Sequence, residues 1–330
     1  MAQMYTDAFL QAAKQSLEGM AQVWGLSPTT VISLLNISEN ATFRADDAVT
    51  GKQLVLRVHR PDYHTYAEIS SELAWIEALR LEAIAPIPKP CEMTEGGLIA
   101  TANIAGQDRD VVAFELMAGE EPSPSADLTG SFKLLGAISA KLHAHARGWR
   151  RPKEFVRKTW SYDTTIGPAA YWGDWRAALG LTSAGAAVLE QTCTLLQSRL
   201  SAFSTGPDRF GLIHADLRLA NLLIDGDRIG LIDFDDCGFG WFAFDFAAAV
   251  SFFETDPAIP ALKDAWCEGY RCVEQLPVEV EAELPTFIML RRLQLTAWIA
   301  SHSETPTAME LGASFTDGTI ELAEVYLSRH

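Results

Sequence analysis

The 330-residue chain predicts an α+β fold: a small antiparallel sheet with a helix, followed by a larger, mainly helical part. Three observations predict it. Residues 53–59 place apolar side chains on one face at a period of two, as a strand does. From residue 131 onward the apolar residues recur at helical spacing instead. Two short apolar runs, 222–224 and 229–232, flank an Asp-Gly-Asp turn, which is the pattern of a β-hairpin.

Composition excludes several classes of protein. The length allows one large or two modest domains, and a folded chain of this size buries about 75% of its unfolded surface, so it needs no stabilising cross-links. No run of 18 apolar residues occurs, and the first seven residues lack a basic, apolar signal, so we expect a cytoplasmic protein without a membrane span. Five cysteines without a Cys-x-x-Cys pair predict reduced thiols. A net charge of −17 disfavours nucleic acid as a partner.

The first part of the chain alternates between helix and strand patterns. Residues 5–24 have the apolar spacing of an amphipathic helix, and residues 64–81 repeat it. Between them, residues 29–35, 41–45 and 53–59 predict three antiparallel strands. Two more strand signals follow the helix, near residues 98–102 and 111–117.

Arg57 and Glu72 are predicted to form an ion pair in this first part. Arg57 shares a face of its strand with Val55. Glu72 lies within the apolar stripe of the 64–81 helix, and an acid on an apolar face needs a partner. Arg57 is the candidate partner, and Glu68, one turn earlier, is the alternative acid.

The second part is predicted to be helical over residues 131–146, 184–203, 241–254, 258–275, 280–302 and 307–327. Residues 147–180 are rich in Trp and Tyr and have mixed periodicity. Those aromatic side chains could line a substrate cleft or pack in the core, and the sequence leaves both open.

Polar residues lie on both sides of the predicted hairpin: His214, Asp216 and Asn221 before it, and Asp233, Asp235 and Asp236 after it. The hairpin folds its ends together, so Asn221 and Asp233 should lie side by side with Asp216 close by. Two carboxylates and an amide oxygen suit a hard divalent ion that keeps some waters and binds phosphate. Asp216 precedes Asn221 by five positions, which is the spacing of the kinase catalytic loop.

Residues 212–249 resemble the superfamily of aminoglycoside phosphotransferases, choline kinases and type II homoserine kinases. Its loop usually reads His-Gly-Asp-x-x-x-x-Asn, and here the chain reads His214-Ala215-Asp216 and then Asn221. Ala215 replaces the usual glycine, and residues 218–220 replace a common His-Pro-Gly. The resemblance implies a bilobal, protein-kinase-like fold, with a nucleotide-binding lobe over residues 1–117 and a catalytic, substrate-binding lobe over residues 118–330.

The resemblance also implies a reaction: transfer of the γ-phosphoryl group of ATP to a hydroxyl, with Mg²⁺. In that reaction Asp216 accepts the hydroxyl proton, and Asn221 and Asp233 hold the metal. Arg57 contacts the phosphates and is positioned by Glu72. The remaining nucleotide contacts would come from the covering turn at residues 38–43, the adenine-facing strand residue and the hinge at residues 115–121: Asn40, Val55, Glu115 and Met117. His214 and Asp245 would support the loop.

Several alternatives stay open. The acceptor is expected to be a small molecule resembling homoserine, choline or an aminoglycoside, because residues 236–245 are too short for the activation loop of a protein kinase. A Ser/Thr protein kinase of the same fold is the alternative enzyme. Arg57 in place of the usual lysine is the only support for a pseudokinase. A metal-dependent phosphohydrolase would leave the Arg57–Glu72 pair without a purpose. The sequence does not indicate the oligomeric state of the protein.

Overall fold

The computed structural model describes residues 5–37, 40–303 and 305–330. The chain divides into two compact units, Met1–Ala118 with Arg151–Val156, and Gly119–Arg150 with Arg157–His330. The sequence places a division after residue 117, one residue from the observed one, and does not predict that residues 151–156 belong to the first unit. The first unit holds a sheet with helices and the second is mainly helical, so the α+β class is confirmed.

In the residues that the structure describes, the first unit contains two helices and five strands. Helix α1 is Asp7–Gly19, continued by a 3₁₀ turn, and helix α2 is Tyr66–Leu81. The strands are β1 Val31–Ile37, β2 Ala41–Asp46, β3 Gln53–Val58, β4 Ile99–Ile104 and β5 Gln107–Glu115.

These five strands form one antiparallel sheet in the order β1-β2-β3-β5-β4. β3 pairs with β2 on one side and with β5 on the other, so that Arg57 lies opposite Thr42 and Val112. The apolar face of β3 packs with α1 into a core that includes Leu17, Leu54 and Leu56. Arg57, which points to the other face of its strand, is thereby turned away from this core.

Helix α2 begins at a capping box. Thr65 accepts a hydrogen bond from the Glu68 backbone, and the Glu68 carboxylate accepts one from the Thr65 N–H at 2.8 Å. This satisfies N–H groups that the first turn of a helix otherwise leaves unpaired. Glu68 is therefore used at the cap of the helix.

The second unit contains seven helices and four short strands in the described residues. The helices are α3 Thr129–Gly148, α4 Tyr162–Thr165, α5 Ser183–Phe203, α6 Phe244–Ala249, α7 Ile259–Arg271, α8 Val278–Ser301 and α9 Pro306–Ser328. The strands are β6 Phe210–Ile213, β7 Leu222–Asp225, β8 Arg228–Leu231 and β9 Gly238–Trp241. They pair as two hairpin-like ladders, β6 with β9 and β7 with β8.

Two glycines let helices α3 and α7 approach closely. A Cβ built on Gly136 would lie 2.0 Å from the carbonyl oxygen of Trp266, and one built on Gly269 would lie 1.8 Å from that of Lys133. No side chain fits at either position, so glycine is required by the close contact of the two backbones.

The sequence expectation is wrong around residue 241. It predicts a helix over residues 241–254, whereas Trp241 ends strand β9 and helix α6 spans only Phe244–Ala249. The pairing of β9 with β6 explains the difference, because tertiary contacts decide the conformation of such short apolar runs. None of the five cysteines forms a disulfide, as predicted, and three of them are buried. Among the described residues, no helix is both long and apolar enough to cross a membrane.

Candidate active site

The segment between β6 and β7 forms the predicted catalytic loop. β6 ends at Ile213, and a 3₁₀ turn, Leu219–Asn221, leads into β7. Ala215 has a φ of +67°, a left-handed conformation that costs a residue with a Cβ roughly 1–2 kcal/mol. Glycine, which is usual here in the resembling superfamily, would adopt this conformation without that cost. The chain keeps the loop shape with alanine.

The Asp245 carboxylate anchors this loop. Its Oδ1 accepts the N–H of Ala215 at 2.8 Å, and its Oδ2 accepts the N–H of His214 at 3.3 Å. His143 Nε2 donates to the same Oδ2 at 3.0 Å, while the Tyr270 hydroxyl lies 3.1 Å from His143 Nδ1. Burial lowers the pKa of His143 more than Asp245 raises it, so the ring is neutral. The predicted supporting role of Asp245 is confirmed, and no sequence pattern predicts His143.

His214 supports the loop from within it. Its Nδ1 accepts the backbone N–H of Asp216 at 3.3 Å, so the proton of the neutral ring lies on Nε2, which donates to the Ile232 carbonyl at 3.2 Å. Burial lowers the pKa of His214, which favours this neutral form. Both ring nitrogens hold backbone groups, as a supporting residue requires.

Asp216 and Asn221 are in direct contact. The Asn221 Nδ2 donates to the Asp216 carboxylate Oδ2 at 2.7 Å and to the Asp216 carbonyl at 2.8 Å. Both amide hydrogens are therefore used, and this fixes the orientation of the amide. The amide oxygen of Asn221 points to the other side, where it can coordinate a cation.

The hairpin brings the chain around Asp233 to Asn221. β7 and β8 pair from Leu222 with Leu231 to Asp225 with Arg228, as the Asp-Gly-Asp turn predicts. The N–H that directly precedes Asp233 in the chain, that of Ile232, donates to the Asn221 carbonyl at 3.0 Å. Asp233 is half-buried at a φ of +59°.

The two predicted ligands, Asn221 and Asp233, have the donor chemistry for a divalent ion that is completed by phosphate and water. They offer one carboxylate and one amide oxygen, which is how proteins hold Mg²⁺ beside a nucleotide. Within the described ranges, no group of three or more His, Cys, Asp or Glu residues could form an all-protein metal cage.

Arg291 contacts the predicted base. This residue lies in the middle of α8 and donates from Nη2 to the Asp216 Oδ1 in a buried ion pair. Arg218 Nε lies 3.3 Å from the Asp216 Oδ2. Burial raises the pKa of the Asp216 carboxyl, but the positive charges of Arg291 and Arg218 outweigh burial and hold that pKa below its usual value. Asp216 is thus an anion held by two guanidinium groups.

In the first unit, Arg57 and Glu72 form the predicted ion pair. Arg57 Nη2 lies 2.8 Å and 2.7 Å from the two Glu72 carboxylate oxygens. Glu72 is fully buried, and the Arg57 guanidinium lies 5.3 Å from the centre of the Phe114 ring. The pairing is confirmed, while the contact of Arg57 with nucleotide phosphates stays a prediction.

The remaining predicted nucleotide contacts occupy different environments. Val55 is half-buried on β3, and Asn40 is buried with its Oδ1 accepting the N–H of Arg60 at 3.0 Å. The first two residues of the predicted covering turn, 38 and 39, lie outside the described residues. At the predicted hinge, the amides of Glu115 and Leu116 already donate to the carbonyls of residues 89 and 53. The Met117 amide is the next one in the chain.

The family of the chain is shown by comparison with known proteins. The model of the phosphotransferase enzyme family matches residues 32–276. The structure of a microcompartment-associated aminopropanol kinase is 41% identical, with a TM-score of 0.87 over 94% of this chain and 97% of that one. The amicoumacin kinase hAmiN, solved with AMP-PNP, Ca²⁺ and Ami, is 20% identical, with a TM-score of 0.77 over 96% of both chains. An uncharacterized protein of Deinococcus radiodurans is 27% identical over 326 residues, which is 96% of this chain and 91% of that protein.

These comparisons also confirm the predicted protein-kinase-like fold, because the similarity to hAmiN extends over nearly the whole of both chains. The family match covers both the strand that carries Arg57 and the loop that carries Asp216. The chain therefore belongs to the phosphotransferase enzyme family, and it is a kinase that acts on a small molecule.

Proposed function

We propose that this kinase phosphorylates the hydroxyl of a small amino alcohol such as 1-amino-2-propanol, using ATP and Mg²⁺. The observation that carries the proposal is the 41% identity to an aminopropanol kinase over 94% of this chain. Identity at that level over nearly the full length supports a similar acceptor as well as a similar fold.

Asp216 is the proposed base of the reaction. The hydroxyl oxygen of the acceptor attacks the γ-phosphorus, the bond from that phosphorus to the bridging oxygen breaks, and ADP leaves. The hydroxyl proton passes to the Asp216 carboxylate. The hydrogen bonds from Asn221, Arg218 and Arg291 support this role, because a carboxylate held from several sides meets its substrate in one geometry.

Asn221 and Asp233 would hold the metal through the amide oxygen and the carboxylate. When bound, the ion offsets the negative charge of the phosphate oxygens. Mg²⁺ is proposed over Ca²⁺, since Ca²⁺ takes six to eight oxygen ligands, whereas Asn221 and Asp233 offer only an amide oxygen and a carboxylate.

The nucleotide is proposed to be contacted by Arg57 at its phosphates and by the chain near Met117 at its adenine. The bonds from Arg57 to Glu72 support the first part, because they fix the guanidinium at the end of a rigid strand. The neighbouring amides of Glu115 and Leu116 are already engaged, which supports the Met117 N–H as the adenine donor. Val55 and Asn40 are proposed to line the nucleotide, as the resemblance implies.

An acceptor panel tests the proposal. ADP formation is measured with Mg·ATP and one acceptor at a time: 1-amino-2-propanol, ethanolamine, choline, homoserine, an aminoglycoside and amicoumacin. We expect 1-amino-2-propanol to have the highest kcat/KM, and ethanolamine, which lacks one methyl group, to fall roughly 10–200-fold below it. The phosphorylated product is identified by mass.

Two matched compounds serve as controls. Propylamine lacks the hydroxyl and 2-propanol lacks the amine, and neither should increase ADP formation above the rate without acceptor. A higher kcat/KM for choline, homoserine, the aminoglycoside or amicoumacin would contradict the amino-alcohol proposal while leaving the kinase activity in place. Equal use of 2-propanol and 1-amino-2-propanol would show that the site does not recognise the amine.

A further inference from the structure

Arg291 is a cation built rigidly into the interior of the second unit. Its side chain is 1% exposed, and each of its nitrogens has one partner. Nε donates to the Ser251 hydroxyl at 2.9 Å, Nη1 to the Gln294 amide oxygen at 3.0 Å, and Nη2 to the Asp216 Oδ1. The ring of Trp172 lies 4.9 Å from the guanidinium carbon, which adds a cation–π contact. The guanidinium therefore has one position and one orientation.

A buried cation of this kind needs a negative charge beside it. In the part of the chain that the structure describes, Asp216 is the one carboxylate that pairs with Arg291. Ser251 and Gln294 are neutral, so they can orient the guanidinium without neutralising it. The orientation of Arg291 is thus set by neutral groups, and its charge is matched by Asp216 alone.

The donors around Asp216 leave one oxygen less occupied than the other. A carboxylate offers about four acceptor positions, two on each oxygen. Among the residues that the structure describes, Asn221 and Arg218 both donate to Oδ2, whereas Arg291 alone donates to Oδ1. The position that remains for a further donor is on Oδ1, next to the bond from Arg291.

We infer that Arg291 is a positioning residue for phosphoryl transfer: it fixes the rotation of the Asp216 carboxylate so that the second acceptor position of Oδ1 receives the acceptor hydroxyl. The inference rests on the proposed function, in which Asp216 is the base. Arg291 touches neither the nucleotide nor the acceptor in this scheme and acts only through Asp216.

The next residue in the helix provides a matched control. Arg292 is also buried, and it pairs with Glu254 at 2.7 Å and donates to the Thr319 hydroxyl at 2.8 Å. Arg292 is an arginine in the same helix and is buried like Arg291, but the carboxylate with which it pairs is Glu254 and not Asp216. A purely structural role would make the two arginines equivalent in turnover, whereas a positioning role separates them.

The test compares Arg291→Met, Arg291→Lys and Arg292→Met in the full-length chain, at a temperature below the thermal unfolding midpoint of each variant. Turnover is measured with Mg·ATP and 1-amino-2-propanol, or by slow ATP hydrolysis if the wild type does not use that acceptor. We expect Arg291→Met to lower kcat by about 10²-fold, the loss typical of a misplaced reacting group, with the KM for ATP unchanged. Arg291→Lys keeps the charge but loses the guanidinium fork, so its kcat should lie between those of the wild type and Arg291→Met, roughly tenfold below the wild type. Arg292→Met should lower the unfolding midpoint and keep kcat.

The outcomes separate this inference from the proposed function. If Arg291→Met keeps the kcat of Arg292→Met, Arg291 is structural and the inference is overturned. If Arg291→Met does not fold, Arg291→Lys decides: wild-type kcat overturns the inference, and a loss at constant ATP KM supports it. Asp216→Asn is run alongside. An inactive Asp216→Asn with fully active Arg291 variants refutes only the inference, whereas an active Asp216→Asn refutes the assignment of the base.

Discussion

Two buried pairs of an arginine and a carboxylate, one in each unit, invite comparison. In the first unit, both oxygens of Glu72 contact Nη2 of Arg57. In the second unit, Asp216 Oδ1 contacts one nitrogen of Arg291, while the other two nitrogens have neutral partners. The roles are reversed: Glu72 uses both of its oxygens to orient a cation, whereas Arg291 uses its donors to orient an anion. The group whose position is fixed is the one expected to meet the substrate.

Asp216→Asn should have the largest effect on turnover. It keeps the shape of the side chain and removes the charge that receives the proton, so kcat should fall by ~10²–10⁴-fold, which is roughly 3–5 kcal/mol of activation barrier. The affinity for Mg·ATP should be nearly unchanged, and it is measured by titration separately from steady-state kinetics. Near-wild-type turnover would show that the catalytic loop is wrongly assigned.

Asp233→Asn is the matched substitution for that experiment. It changes a proposed metal ligand in the same unit, so it should weaken Mg²⁺ and ATP binding together. If Asp216→Asn and Asp233→Asn lose ATP affinity equally, Asp216 belongs to the metal site and the base lies elsewhere.

Glu72→Gln tests the other pair through stability. The substitution removes the negative charge beside a cation that stays buried, and breaking such a pair typically costs about 3–5 kcal/mol of the free energy of unfolding. Urea denaturation measures it. Adding Arg57→Met should recover part of the loss, because the double variant no longer buries the cation.

A matched exposed pair serves as the control for Glu72. Glu268 contacts Lys133 on the surface, where water and salt screen the charges. Glu268→Gln should leave the urea midpoint unchanged. If Glu72→Gln behaves in the same way, burial does not make the Arg57–Glu72 pair important for stability.

The sequence predicts the first pair and misses the second, although one physical rule covers both. Glu72 lies in a helix whose apolar stripe is recognisable, so an acid within it is visibly out of place. Arg291 lies in α8, where every residue from Thr286 to Ile299 is buried, so this stretch has no polar face from which an inward-facing charge would stand out. The rule that a charge among apolar residues needs a partner would have identified Arg291, but it could not have named Asp216, which lies 75 residues away. Sequence motifs locate Asp216, Asn221 and the hairpin because these are local in the chain.

The two pairs should also differ in their response to nucleotide. At a Mg·ATP concentration of about 100 times Kd, the wild type should gain about 2.7 kcal/mol of stability. Arg57→Met should lose most of this gain, because Arg57 is proposed to contact the phosphates, whereas Arg291→Met should keep it. Thermal shift with and without Mg·ATP measures both variants. Equal losses would contradict the separation of a nucleotide-contacting arginine from one that acts on Asp216.

The smallest expected effect concerns His143, which supports the second pair through Asp245. Burial lowers the pKa of His143 in the folded chain from its usual value of 6.5. As the pH is lowered through 6.5, the unfolded chain therefore binds more protons than the folded chain, and the free energy of unfolding decreases. His143→Gln removes this titration, so its stability should fall less than that of the wild type between pH 7.5 and pH 5.5. Tyr270→Phe removes the hydroxyl from Nδ1 but leaves a titrating ring, and it should keep the acid sensitivity. Urea unfolding at a series of pH values compares the three proteins, and a full wild-type slope in His143→Gln would assign the acid sensitivity to other groups.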